Sequence, residues 1–123
     1  MAKNRFSVAN RISSFQYAGA GILSFLRFEH NAWLHFAATL VVVALGWRVK
    51  ITPHEWIAVI TAIALVWTAE MFNTCLEKLL DFLSPGQHPK IKFIKDVAAG
   101  AVLVAAIAAL AIGCIIFIPY IFY

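Results

Sequence analysis

The sequence predicts an all-α membrane protein, with an N-terminal amphipathic helix in the membrane interface followed by three transmembrane helices. Three observations carry this. Apolar residues make up 63% of the 123-residue chain and charged residues 13%, against roughly 25% charged in soluble domains. A chain this short buries only a modest fraction of its surface, so lipid is the natural solvent for the excess. The apolar residues also fall into three long runs separated by short polar turns.

The first element spans 7–28. Val8, Ile12, Phe15, Gly19, Ile22 and Leu26 recur at steps of three and four, while Asn10, Arg11, Ser13, Ser14 and Gln16 lie mostly off that stripe. That is the pattern of a helix lying in the interface plane. Residues 1–20 alternate polar and apolar with no continuous apolar core, so no signal peptide is expected. The first span covers 32–49, with Trp33 and Trp47 as interface anchors. Pro53 marks a short polar turn. The second span covers 55–83, opens with Trp56 as a further anchor, and is ended by Ser84-Pro85-Gly86. Gln87–Lys92 reads as a basic loop, and the third span covers 95–120. Ala98, Ala99, Gly100, Ala101, Ala105 and Ala109 give it small faces for close helix approach. Cys75 and Cys114 lie in apolar runs and read as small buried hydrophobes rather than a disulfide framework.

Lys and Arg set the orientation. Lys3, Arg5, Arg11 and Arg27 precede the first span, Arg48 and Lys50 fall in the first turn, and Lys78, Lys90, Lys92 and Lys95 surround the second. The positive-inside rule puts the N-terminus and the second turn in the cytoplasm. A net charge of +4, placed this way, is a topology signal and not a nucleic-acid footprint.

The second span carries chemistry. Glu70, Asn73, Glu77 and Asp81 stand at i, i+3, i+7 and i+11, within a sector of about 80° on one helix face. Glu70 lies ~21 Å along the helix from Trp56, too deep for its carboxylate to reach water by bending. A carboxylate facing hydrocarbon costs at least ~2.5 kcal/mol, and an intramembrane acid is a functional residue by default. Glu29 before the first span and Lys95-Asp96 before the third approach the same membrane side. Paired carboxylates with a nearby lysine suit a hard divalent cation and phosphate. An acidic face that cannot meet lipid needs partners, which points to an oligomer.

Glu70-Met-Phe-Asn73-Thr-Cys-Leu-Glu77 resembles the E-x-x-N-[ST]-x-[IL]-E signature of the small prokaryotic diacylglycerol kinase/undecaprenol kinase family. Ile94-Lys95-Asp96-Val-Ala-Ala-Gly-Ala-Val is similar to that family's K-D-x-[AG]-[AS]-x-[AV]-V stretch. Glu29-His-Asn31 with His35 matches an E-x-N…H pattern, and Tyr17 and Gly21 fit its N-terminal helix. The resemblance covers nearly the whole chain, which would then be one integral membrane kinase domain.

The resemblance implies transfer of the γ-phosphate of ATP to a membrane-lipid hydroxyl by a homotrimer with shared active sites in a bacterial cytoplasmic membrane. It implies Glu70 as general base, with Asn73 orienting it and the acceptor. Glu29 and Glu77 would hold Mg²⁺ and the ATP phosphates. Lys95 would bind phosphate, and Arg11, Tyr17, His88 and Asp96 would contact the nucleotide. Asn31, His35 and Ala99 would meet the lipid beside Glu70. Asn10 stands where the family tends to have a basic residue, and Pro85-Gly86-Gln87 replaces a more acidic loop of some members. His35 stands where diacylglycerol-specific members tend to have an acid, so the lean is to undecaprenol over diacylglycerol. Two other classes compete: a small proton-coupled transporter using Glu70, and a non-enzymatic membrane scaffold. Neither accounts for Glu29, Glu77 and Lys95-Asp96 together.

Overall fold

The computed structural model describes residues 7–123. Four helices follow in order: α1 Val8–Phe28, α2 His30–Val49, α3 Pro53–Leu83 and α4 Pro89–Phe122. Helices α2, α3 and α4 are long and apolar enough to cross a membrane. The chain forms two compact units, one running to Ala38 and the other from Thr39 to Tyr123.

In the first unit, Ser7 caps α1, its Oγ accepting from the Asn10 N–H at 3.0 Å. This satisfies one of the free donors of a helix start. Val8, Ile12, Phe15 and Ile22 of the apolar stripe are exposed, whereas Phe25 is buried. α1 stops at Glu29, which is extended (φ −100°, ψ 121°). Its N–H donates to the Phe25 carbonyl at 3.1 Å, and its own carbonyl accepts from Ala32 at 3.2 Å. One residue therefore forms the entire joint between α1 and α2.

The second unit is knitted at the α2–α3 turn. Lys50 adopts φ 57°, and the Ile51 N–H reaches back to the Gly46 carbonyl at 3.1 Å. This is the bonding of a left-handed helix stop, in which glycine usually takes the position held here by Lys50. The glycine lies four residues earlier, where it is needed for space. A Cβ on Gly46 would come within 2.9 Å of Trp56 Cη2 and 3.1 Å of Ile51 Cδ1.

α3 then starts with a capping box. Thr52 Oγ1 accepts from the Glu55 N–H at 3.2 Å, and Glu55 Oε1 accepts from the Thr52 N–H at 2.9 Å. Pro53 sits in the first turn, where a missing N–H costs nothing. The helix therefore begins two residues before the expected boundary. Across the pair, the Tyr120 hydroxyl donates to Glu55 Oε1. Ile51, Val59, Ile116 and Phe117 are buried together, with Trp56, Leu45 and Ile112 packed around them. Trp56 thus packs inward and is not only an interface anchor.

α3 and α4 pack along one another, joined by a turn too short for anything but an antiparallel pair. Ala98, Ala105 and Ile116 are buried on α4, and Val59, Ala62, Glu70 and Leu80 on α3. The small-residue reading therefore applies to Ala98 and Ala105, while Ala99 and Ala101 are exposed. Trp67 Nε1 donates to Thr39 Oγ1 at 2.8 Å and ties α2 to α3. Cys75 and Cys114 are free and exposed, not buried as expected.

α4 starts at Pro89, so Lys90 and Lys92 belong to its first turns and not to a basic loop. The reason is local. His88 is the N-cap, its Nδ1 accepting from the Lys90 N–H at 3.1 Å, and Pro89 supplies a fixed helical φ.

Candidate active site

The acidic face of α3 is present as its spacing requires. Glu70 is 7% exposed and is the one buried charged side chain among the described residues. Asn73 Nδ2 donates to Glu77 Oε1 at 3.2 Å, an i,i+4 contact along one face. The amide N–H of Asn73 is therefore engaged with Glu77. Asn73 Oδ1 is enclosed and accepts no hydrogen bond. A buried acceptor left this way costs about 1–3 kcal/mol, so Oδ1 is an open acceptor for an incoming donor or cation.

One turn past Glu77, Asp81 Oδ1 accepts from Lys95 Nζ of α4 at 2.6 Å. Lys92 Nζ pairs with Asp96 Oδ2 within α4. All four side chains are substantially exposed, Lys95 least at 37% and Asp81 at 61%. Exposed pairs contribute only about 0–1 kcal/mol each, so stability does not explain them.

Beside these pairs lies a cavity of about 740 Å³ at the α3–α4 turn, within the ordinary size of small-molecule sites. Its wall includes Gln87, His88, Lys92, Lys95 and Asp96 along with Ser84-Pro85-Gly86. His88, Lys95 and Asp96 are thus brought to one place. Sequence reasoning assigned no role to Gln87, whose place in the wall was hidden by its loop. The two ion pairs were also missed. Lys92–Asp96 could have been found from its i,i+4 spacing, whereas Asp81–Lys95 depends on how α4 lies against α3.

The other candidates lie on α1, α2 and α4 and the joint between the first two. Arg11 and Tyr17 are exposed on α1, Asn31 is exposed on α2, and Glu29 and His35 are half-buried in the same unit. Ala99 is exposed on α4.

The donors fit a hard cation. Among the described residues no three His, Cys, Asp or Glu side chains converge as a closed metal cage. Mg²⁺ does not need one, since it is usually held by one or two carboxylates with water and phosphate completing the shell. Glu77 and the unpartnered Asn73 Oδ1 are oxygen donors of that kind.

A buried carboxylate thus lies on a helix long and apolar enough to cross a membrane, and a cavity bordered by His88, Lys92, Lys95 and Asp96 opens at the end of the helix pair. Residues 16–117 match the family described as prokaryotic diacylglycerol kinase, and the chain belongs to it, as a lipid kinase. It is similar to the undecaprenol kinase of Bacillus subtilis, at 36% identity over 119 residues, covering 96% of this chain and 97% of that protein. It is also similar to a diacylglycerol kinase of Synechocystis sp., at 34% identity over 122 residues, covering 97% of this chain and 69% of that one.

Proposed function

We propose that the protein phosphorylates the hydroxyl of a membrane lipid from ATP, with undecaprenol as the acceptor. The observation that carries this is the buried Glu70 on the same α3 face as the Asn73–Glu77 pair, ~5 Å along the helix from Asn73 and ~10 Å from Glu77 by helical rise. Phosphoryl transfer needs chiefly positioning and charge neutralisation. Glu70 takes the proton of the lipid hydroxyl, and burial keeps competing water away. Membrane partitioning brings the acceptor to that depth, which supplies part of the proximity. Asn73 is assigned to orienting Glu70 and the acceptor.

Glu77 and Glu29 are the residues assigned to Mg²⁺, which when bound neutralises charge on the ATP phosphates. Lys95 adds a positive charge from the cavity wall. His88 and Asp96 border the nucleotide there, and Arg11 and Tyr17 serve it from α1. Asn31, His35 and Ala99 are assigned to the lipid. The Glu29-His-Asn31…His35 form supports undecaprenol over diacylglycerol. The distribution of Lys and Arg supports a cytoplasmic site in a bacterial inner membrane. The exposed apolar sides of α2–α4 support assembly with further copies, a homotrimer by the resemblance.

The test is a mixed-micelle assay with radiolabelled ATP and Mg²⁺, offering undecaprenol and diacylglycerol side by side. Label in undecaprenyl phosphate is the expected result. Label in phosphatidic acid alone overturns the acceptor assignment. Label in neither lipid overturns the ATP-dependent reading.

A further inference from the structure

Asp81 lies on the acidic α3 face, yet the reaction as assigned gives it no task. It is four residues past Glu77, one turn further along the same side of α3. Its Oδ1 accepts from Lys95 Nζ at 2.6 Å. Lys95 borders the cavity at the α3–α4 turn, and Asp81 does not. The ion pair therefore draws the lysine from the cavity wall toward the turn of α3 that presents Glu77.

The partition of charges sharpens this. The nearby carboxylate of α4, Asp96, is already paired with Lys92, leaving Asp81 as the partner of Lys95. A lysine is a compact charge on a flexible four-carbon stem with three donors. One N–H donated to Asp81 fixes the stem and leaves two donors to point at phosphate.

We propose that Asp81 is a positioning residue, which holds the Lys95 ammonium at the Glu77 side of the cavity for the phosphates of the nucleotide. This rests on the lipid-kinase reading, with Lys95 at phosphate. Substitution should weaken nucleotide use and leave lipid use alone, because Asp81 touches neither the acceptor nor Glu70.

The experiment is steady-state kinetics of the full-length protein in mixed micelles, with ATP and lipid varied separately. Asp81→Asn should raise KM for ATP about tenfold, equal to about 1.4 kcal/mol, with kcat and KM for lipid little changed. Asp81→Glu should recover most of the loss. In a Lys95→Met background, Asp81→Asn should add nothing, since its effect passes through the lysine. An unchanged KM for ATP in Asp81→Asn, or additive effects in the double variant, overturns the proposal. A variant that only melts earlier, with wild-type KM for ATP, shows a helix staple and overturns it too. Asp81→Ser is read by the same criteria if Asp81→Asn does not fold. Absence of lipid phosphorylation by the wild type would instead be a failure of the parent reading.

Discussion

At the α2–α3 turn, Ile51, Val59, Ile116 and Phe117 are buried together, and a capping box and the Tyr120–Glu55 bond tie the helices. At the other end of the α3–α4 pair, the side chains are charged and exposed, and Lys92, Lys95 and Asp96 border a cavity. The first end has apolar contacts and satisfied backbone groups. The second has exposed ion pairs that add little to stability. The buried apolar cluster and the candidate nucleotide cavity are thus placed at opposite ends of one helix pair. Binding regions are commonly drawn from the less firmly packed parts of a structure, which suits a candidate site at the charged end.

This division can be broken by substitution. Glu70→Gln should cost the most, a fall of about 10³-fold in kcat, or roughly 4 kcal/mol of barrier. Its melting temperature in detergent should match the wild type; full retained activity would remove Glu70 from the role of base. Phe117→Ala should do the reverse, losing about 3 kcal/mol of stability through the cavity it leaves. Protein that remains folded should keep its turnover per molecule, and a kinetic defect without loss of stability would show the two ends to be coupled.

Gly46→Ala should follow, at about 1–2 kcal/mol, because the new methyl meets the rigid Trp56 ring at 2.9 Å. In a Trp56→Leu background the same change should stabilise, since alanine is the better helix former. Thermal melts of the four proteins decide the sign. The smallest effect should be a gain. Lys50→Gly relieves a left-handed backbone of φ 57° and should add up to about 1 kcal/mol, read as a higher melting temperature with activity unchanged.

The sequence showed the helices well where one chemistry ran without interruption. The stripe of α1 and the apolar runs of α2 to α4 are periodic over many turns. The Glu70, Asn73, Glu77, Asp81 face needed only the helical repeat. The start of α4 was misplaced because Lys90 and Lys92 disguised the first turn as a loop, although His88-Pro89 carried the capping signal. The space required at Gly46 was not legible, since it comes from Trp56 across a turn. The Asp81–Lys95 pair was hidden for a related reason. Local spacing names the residues on a face, but the sliding of one helix along another chooses their partners.

The single-residue joint at Glu29 has a consequence for length variation. Between Phe28 and His30 there is no slack in which to lose or gain a residue. Adding one within the flanking turns would rotate everything before it by about 100°, turning the apolar stripe of α1 away from the side it now presents. The joint therefore does not tolerate a change of count. Insertions and deletions should instead collect at Ser84–Gln87, where the chain is neither helical nor packed into the apolar base.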